Sequence, residues 1–316
     1  MTRKIRVLDT TLRDGEQTPG VTFTLQQKLE LAQALDDFGV DAIEAGSAIT
    51  SEGERQAIKE ICRQGLKAEV SSFARILKKD VDLALECGVD AVFLVAPTSE
   101  LHITHKLKKD EQYVLDMLTQ LAGYIRDQGV VVDVCCEDGS RSEPGYLKKV
   151  LETVTEAGAD RFTIADTVGV WVPEEAEKAF KAVSDSKLPL GVHCHDDFGL
   201  ATANTVTAVQ AGASMIDVTV NGLGERAGNT SLEETVVALT QKYGYRLNLD
   251  LSGLTELSRL VEKYSNIIVP PNKPVVGGNA FTHEAGIHVD GILKNPSTYE
   301  PINPELVGGR RQFMLG

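Results

Sequence analysis

Two histidines spaced two residues apart, His193 and His195, follow the apolar run Leu188 to Val192. If that run is a strand, side chains at i and i+2 point to the same face. Two imidazoles at a strand end, aimed one way, form a ready pair of metal ligands; they fit equally a structural histidine beside an incidental one. A second chemical stretch, Arg13 and Asp14, follows the run Ile5 to Asp9. Two imidazoles and a carboxylate, with positions open for water and substrate, suit Zn²⁺, Mn²⁺ or Co²⁺. A Lewis acid with vacant positions chelates a 2-oxo acid through its keto and carboxylate oxygens. Arg13 would then stabilise negative charge developing on an enolate or alkoxide. A salt bridge to Glu44 or Glu137 is its plainer role, and the two are compatible. A third stretch, Gly222-Leu223-Gly224-Glu225-Arg226-Ala227-Gly228-Asn229, has three glycines in seven residues. Such a loop lets backbone approach a phosphate or cofactor closely, or it is only a turn.

The elements that must position these residues repeat. Short apolar runs lie at Ile5 to Asp9, Ala42 to Ala45, Ala68 to Ser72, Ala91 to Ala96, Val130 to Cys136, Arg161 to Ala165, Leu188 to Val192 and Met215 to Val220. Amphipathic stretches separate them, with Leu29, Leu31, Ala32, Leu35 and Phe38 at helical spacing in one and Glu111 to Asp127 forming another. Asp-Phe-Gly-Val-Asp (37–41), Glu-Cys-Gly-Val-Asp (86–90), Glu-Ala-Gly-Ala-Asp (156–160) and Gln-Ala-Gly-Ala-Ser (210–214) recur just before strands. Each reads as a helix end, a glycine past the last turn, then a strand entry. Eight such units predict an α/β fold, a TIM (β/α)8 barrel, rather than an open doubly wound sheet. No glycine-rich dinucleotide fingerprint follows the first strand. In a barrel the first strand adjoins the eighth, which lets Asp14 approach the histidines.

Chemistry in this fold sits at the C-terminal strand ends. The residues expected there are Arg13 and Asp14, Glu44, Arg75, Thr98 and Ser99, Glu137 and Asp138, Asp166 and Thr167, His193 and His195, and Asn221. All are polar, while the strand bodies read as mostly apolar, so a solvated catalytic mouth is expected.

A net charge of −14 over 316 residues argues against a general nucleic-acid binder, although a local basic patch could hold a phosphorylated cofactor. No apolar run is long enough to span a bilayer. Met1-Thr2-Arg3-Lys4-Ile5 enters a strand-like run at once, which predicts no signal peptide and a cytoplasmic protein. Cys62, Cys87, Cys135, Cys136 and Cys194 show no CxxC spacing and read as reduced, mostly buried thiols. The barrel is expected over residues 1–265, including a helix from Leu251 to Tyr264. Residues 266–316, beginning with the proline- and glycine-rich Val269 to Gly278, read as a linker and the start of a C-terminal subdomain. That segment is too short to fold alone and must dock on the barrel or on a second subunit. The abrupt end at Phe313-Met314-Leu315-Gly316 suggests a longer parent protein.

The run Leu8-Asp9-Thr10-Thr11-Leu12-Arg13-Asp14-Gly15-Glu16-Gln17 resembles the first-strand signature of a family of metal-dependent TIM-barrel enzymes. His193 to Asn204 and Asn221 to Asn229 look like its two other signatures. Together with Thr282-His283-Glu284-Ala285-Gly286-Ile287-His288 they resemble the 2-isopropylmalate, citramalate and homocitrate synthase branch, over essentially the whole chain. The resemblance implies Claisen condensation of acetyl-CoA with a 2-oxo acid, then thioester hydrolysis. It implies Asp14, His193, His195 and Asn229 as ligands of a divalent metal (Mn²⁺, Zn²⁺, Mg²⁺ or Co²⁺). Thr167 would hold the 2-oxo acid carboxylate, Arg13 would polarise the keto oxygen, and Glu137 would orient the groups around it. Gln17, Asn204, Gly222, Gly224, Glu225 and Arg226 would contact acetyl-CoA. His288 with Tyr299 would reach over from the partner of a homodimer and act in proton transfer.

Many isopropylmalate synthases carry a His on the fourth strand and a Ser on the fifth in the substrate pocket; here Phe93 and Cys135 stand there. Phe93 would shrink the pocket toward pyruvate, or wall an isopropyl group. The first expectation is a 2-isopropylmalate synthase of leucine biosynthesis. The alternative is (R)-citramalate synthase, using pyruvate in the isoleucine pathway, and then homocitrate synthase. Related hydroxymethylglutaryl-CoA lyases carry a catalytic Cys in the glycine loop, and residues 222–229 have none. Aldolase-type relatives lack the Glu225-Arg226 pair.

Overall fold

All eight apolar runs are strands in a computed structural model that describes residues 4–314. The expectations for Met1 to Arg3 and for Leu315 and Gly316 lie outside those residues. In chain order the elements are β1 (Arg6–Asp9), α1 (Leu25–Phe38), β2 (Ala42–Glu44), α2 (Glu52–Arg63), β3 (Glu69–Arg75) and α3 (Lys78–Glu86). Then come β4 (Ala91–Pro97), α4 (Glu111–Asp127), β5 (Val131–Glu137), α5 (Pro144–Ala157), β6 (Arg161–Asp166) and α6 (Pro173–Ala182). The last units are β7 (Leu190–Cys194), α7 (Ala201–Ala211), β8 (Met215–Val218) and α8 (Leu232–Gln241). The strands run parallel and close in sequence order, β8 pairing back onto β1 with Arg6 opposite Met215 and Asp9 opposite Val218. This is a TIM barrel. β7 starts at Leu190 rather than Leu188, since Pro189 has no N–H for a ladder. β8 stops at Val218, before a tight turn in which Asn221 takes φ 62°.

The recurring Gly-x-Asp echo has a physical use on both sides of the glycine. Gly39 sits at φ 96° after α1; its N–H and that of Val40 both reach Leu35 O, which closes the helix end. The aspartate that follows then ties down a neighbouring strand. Asp41 accepts the Val7 N–H at 3.0 Å, Asp90 that of Val70 at 2.9 Å, and Asp160 that of Val132 at 2.8 Å. One local motif thus ends a helix and pins the bottom of an adjacent strand.

The main apolar core lies between strands and helices, as alternation on buried parallel strands requires. A smaller cluster inside the barrel holds Leu8, Ala42, Phe93, Val95, Cys135 and Ala165, with Phe73 against it. The strand bodies are less apolar than expected, because charge is buried below that cluster. Arg161 forks onto both Glu69 oxygens, Arg6 reaches Glu69 at 3.1 Å, and Thr163 donates to Asp133 at 3.1 Å. Complementary charges on different strands satisfy one another there, a pairing that no single strand displays. Burial pushes the Asp133 carboxyl up to about 7, against the nearby Arg161. Between its ordinary 3.8 and that value the folded chain keeps a proton that the unfolded chain releases. Rising pH across this window therefore costs stability, about 1.4 kcal/mol per unit, and the cost levels off above about pH 7. Asp133→Asn should remove that dependence. Its thermal midpoint relative to the parent should rise between pH 5 and pH 8 in calorimetry; a parallel pH response in both proteins would contradict it.

Beyond the barrel, a short turn at Leu251–Gly253 leads into α9 (Leu254–Ser265), which buries Leu254, Leu257 and Val261. The segment that follows forms β9 (Thr282–His283), α10 (Gly286–Lys294) and β10 (Gln312–Phe313), with β9 and β10 parallel. It packs on the barrel side through Val275, Phe281 and Val307, which join the main core. Thr255 donates to Val307 O at 2.6 Å, and Lys273 reaches Glu234 at 2.8 Å.

Candidate metal centre

A turn after β1 puts Arg13 and Asp14 at the barrel mouth. The Thr11 N–H donates to Asp9, and the Arg13 and Asp14 N–H groups both return to Thr10 O. β7 delivers the two histidines, whose rings stand 5.1 Å apart, and barrel closure brings Asp14 between them. Asp14 Oδ2 lies 3.3 Å from His193 Nε2, and Asp14 Oδ1 lies 3.6 Å from His195 Nε2. All three residues are buried, and their ligand atoms fall within 4.8 Å of one another.

Asn229 arrives from the loop after β8, which is zipped onto the end of β7. The Thr230 N–H donates to Cys194 O, and the Asp196 N–H to Gly228 O. The Asn229 amide thereby stands 3.3 Å from His193 Nε2. The glycine loop owes much of its composition to this contact, because a Cβ on Gly224 would overlap the Asn229 amide oxygen. Gly224 is also strapped to Thr18, whose hydroxyl takes the Gly224 N–H at 2.8 Å and donates to Gly224 O at 3.1 Å. Gly222 and Gly224 shape the loop and do not line the cavity.

The donor set fits a divalent cation on its own terms. Asp14 Oδ1 and Asn229 Oδ1 are buried with no hydrogen-bond partner, although such atoms are rarely left unpaired. A cation between them and the two imidazoles would satisfy both. Burial opposes charge on these groups, but the mutual pull of ring and carboxylate outweighs it. Arg13 and the histidines hold Asp14 well below the usual carboxylate range, while Asp14 and Asp217 raise His193 to about 9.

Arg13 takes the salt-bridge role read from sequence, with Glu44 rather than Glu137, and pairs with Asp14 as well. Its Nε donates to Glu44 at 2.7 Å and its Nη1 to Asp14 at 2.8 Å. Its guanidinium lies 5.2 Å from the centre of the Phe73 ring, and Thr10 donates to the same Glu44 oxygen. These contacts hold the guanidinium at the wall of a cavity of about 240 Å³. Asp14, Gln17, Glu137, Thr167, His193, His195, Glu225 and Arg226 contribute its polar lining. Phe73, Phe93, Val95, Cys135 and Ala165 contribute its apolar lining. Phe93 and Cys135 are almost fully buried. The Thr167 hydroxyl accepts the Asp138 N–H at 2.8 Å, which leaves its own proton for a ligand. Arg226 forks onto Asp197 and donates to Thr167 O. Glu137 contacts Lys106, on a π-helical turn at His102–Leu107, and faces His102 at 3.7 Å.

Several expected residues lie elsewhere. Asn204, on α7, is 1% exposed, donates to Trp171 O in the segment between β6 and α6, and does not line the cavity. His288 and Tyr299 stack on one another at 4.1 Å, outside the cavity formed by their own chain. Not all polar strand ends face the mouth. Arg75 pairs outward with Asp80, Asp166 caps the Val170 and Trp171 N–H groups, and Asn221 bonds Ser258 on α9. Polarity at a strand end marks the layer, but the direction of the turn decides whether the side chain looks in. Three cavity residues escaped the sequence reading: Phe73, Val95 and Ala165 were indistinguishable from barrel packing. Asp217 escaped it as well, although a lone acid inside the apolar run Met215 to Val220 was the available signal.

The chain matches the HMGL-like family over residues 4–261 and the homocitrate synthase post-HMGL domain-like family over residues 275–316. It is 53% identical to (R)-citramalate synthase CimA of Methanocaldococcus jannaschii, over 99% of this chain and 64% of that protein. It is 51% identical to homocitrate synthase AksA of Methanopyrus kandleri, over 99% of this chain and 79% of that one. A probable 2-isopropylmalate synthase of the same organism is 48% identical over 100% of this chain and 64% of its own length. The chain thus spans a little under two thirds of several curated relatives that it matches. Among solved structures, hydroxymethylglutaryl-CoA lyase of Pseudomonas aeruginosa superposes with a TM-score of 0.76 at 22% identity, covering 85% of this chain and 95% of that one. That likeness is one of fold.

Proposed function

This chain belongs to the HMGL-like family, in the branch of citramalate, homocitrate and isopropylmalate synthases, and on that premise we propose that it condenses acetyl-CoA with pyruvate to give citramalate. The reading departs from the first expectation, isopropylmalate formation, and takes up its alternative. The observation that carries it is that relatives at 50–55% identity are named (R)-citramalate synthase, putative in all but one case. The cavity agrees with a small substrate. Phe93 and Phe73 narrow its apolar side, which suits a methyl group better than an isopropyl group. A distal carboxylate, as in 2-oxoglutarate, would need a cation. Both cavity arginines already pair with acids, Arg13 with Asp14 and Glu44 and Arg226 with Asp197.

A divalent cation held by Asp14, His193, His195 and Asn229 would supply Lewis acidity to the keto and carboxylate oxygens of pyruvate. Thr167, its hydroxyl oxygen already accepting from the Asp138 N–H, donates its proton to the pyruvate carboxylate. Arg13 donates to the keto oxygen as negative charge builds there. Glu137, on the opposite wall, orients the reacting groups. A base takes a proton from the acetyl methyl, and the electron pair forms a bond to the keto carbon, whose oxygen becomes the product hydroxyl. Water then cleaves the thioester and releases coenzyme A. For the base we look to His288, stacked on Tyr299, from a second copy of the chain in a homodimer. None of the helices in the described residues is long and apolar enough to cross a membrane.

The test is thiol release from acetyl-CoA with Mn²⁺ or Zn²⁺ and one 2-oxo acid at a time. Pyruvate should exceed 2-oxoisovalerate and 2-oxoglutarate in kcat/KM by about 10-fold or more. Faster release with 2-oxoisovalerate would restore the isopropylmalate reading, and no release with any of the three would sink the synthase reading.

A further inference from the structure

Beneath the candidate metal centre lies an acid that neither the cavity nor the proposed reaction uses. Asp217 projects from the middle of β8 into the barrel and is 3% exposed. Its Oδ2 stands 3.3 Å from His193 Nδ1, on the face of the ring away from Asp14. Its other oxygen, Oδ1, is buried with no hydrogen-bond partner. Its burial argues against a merely structural acid. A buried carboxylate with one oxygen unpaired is costly, and an apolar side chain of similar size would pack there at less cost. The contact with His193 is the hydrogen bond seen at this acid among the described residues.

That contact determines what the imidazole presents to the site. A hydrogen bond from Nδ1–H to Asp217 fixes the tautomer and the tilt of the ring. It leaves the Nε2 lone pair directed at the gap between Asp14 and Asn229. The second histidine has no such support: His195 Nδ1 is buried and unpartnered. The two imidazoles are therefore unequal: both face Asp14 through Nε2, but only His193 has a carboxylate at its Nδ1.

We propose that Asp217 is the positioning residue for His193, acting through the ring to set cation affinity at the centre. This rests on the reading of His193 as a metal ligand, and the experiment separates the two. Mn²⁺ binding to the full chain is measured by calorimetry, and the visible absorption of bound Co²⁺ reports ligand geometry. Asp217→Leu should weaken Mn²⁺ binding about 10- to 100-fold and shift the Co²⁺ bands. Asp217→Asn, which keeps an oxygen facing Nδ1–H without the charge, should fall between that variant and the parent. It also carries the test if the leucine variant fails to fold. Unchanged affinity and spectrum in a folded Asp217 variant, with the parent binding Mn²⁺ and His193→Ala not, would overturn the proposal alone. A parent that binds no Mn²⁺ would overturn the metal reading and this proposal with it.

Discussion

Replacing His193 by alanine is expected to abolish both cation binding and acetyl-CoA-dependent turnover. The side chain is 5% exposed and its Nε2 faces Asp14 and Asn229 at 3.3 Å each, so no other described group can take its place. Removing it leaves one imidazole in the donor set and takes a hydrogen-bond partner away from Asp217. A site with a single nitrogen and two oxygens holds borderline divalent ions much less well. Metal content after dialysis and the rate of thiol release should fall together, while the circular dichroism spectrum keeps its α/β shape. Turnover at the parent rate would remove His193 from the site. Chelation of the parent enzyme should mimic the variant and be reversed by adding Mn²⁺ or Zn²⁺. The variant should not recover under the same treatment.

Arg13→Gln should lower kcat by about 10²- to 10³-fold, roughly 3–4 kcal/mol of transition-state stabilisation. The guanidinium is fixed from three sides before any substrate arrives, by Asp14, by Glu44 and by the face of Phe73. A donor held in this way needs no reorganisation as charge develops on the keto oxygen. The substitution also leaves Glu44 buried without its cation. Burial already raises the Glu44 carboxyl against the pull of Arg13, so the variant should raise it further and lose some stability. The kinetic and stability effects can be told apart by assaying at a temperature where the variant is shown to be folded. A kcat within about threefold of the parent there would remove Arg13 from the chemistry. Arg13→Lys should recover only part of the loss, because one ammonium cannot fork to two acids and still face the substrate.

These two residues were legible as chemistry long before their geometry was known, and others were not. The His193 and His195 spacing states that two imidazoles share a face wherever a strand lies. The four glycine-ended helices state that the units repeat. Both are local properties, carried by a few adjacent residues with a period of 2.0 or 3.6. Phe73 and Val95 show the limit of such reading: an apolar residue on a barrel strand looks the same whether it packs or lines a pocket. Arg75 and Asn221 show it from the other side, since both are polar and end-placed, yet neither points into the mouth.

The sequence by itself determined the barrel, its order of elements and the chemical character of the mouth, because periodicity, helix ends and motif spacing are written within short stretches. Only the tertiary structure decided which distant residues meet. Closure of β8 onto β1 set Asp14 between the two histidines, placed Asp217 beneath His193 and gathered Arg6, Glu69 and Arg161 into one buried network. Those contacts depend on strand register and turn direction across up to two hundred residues of chain. Short-range patterns cannot encode that, and that is where the electrostatics of the candidate site are set.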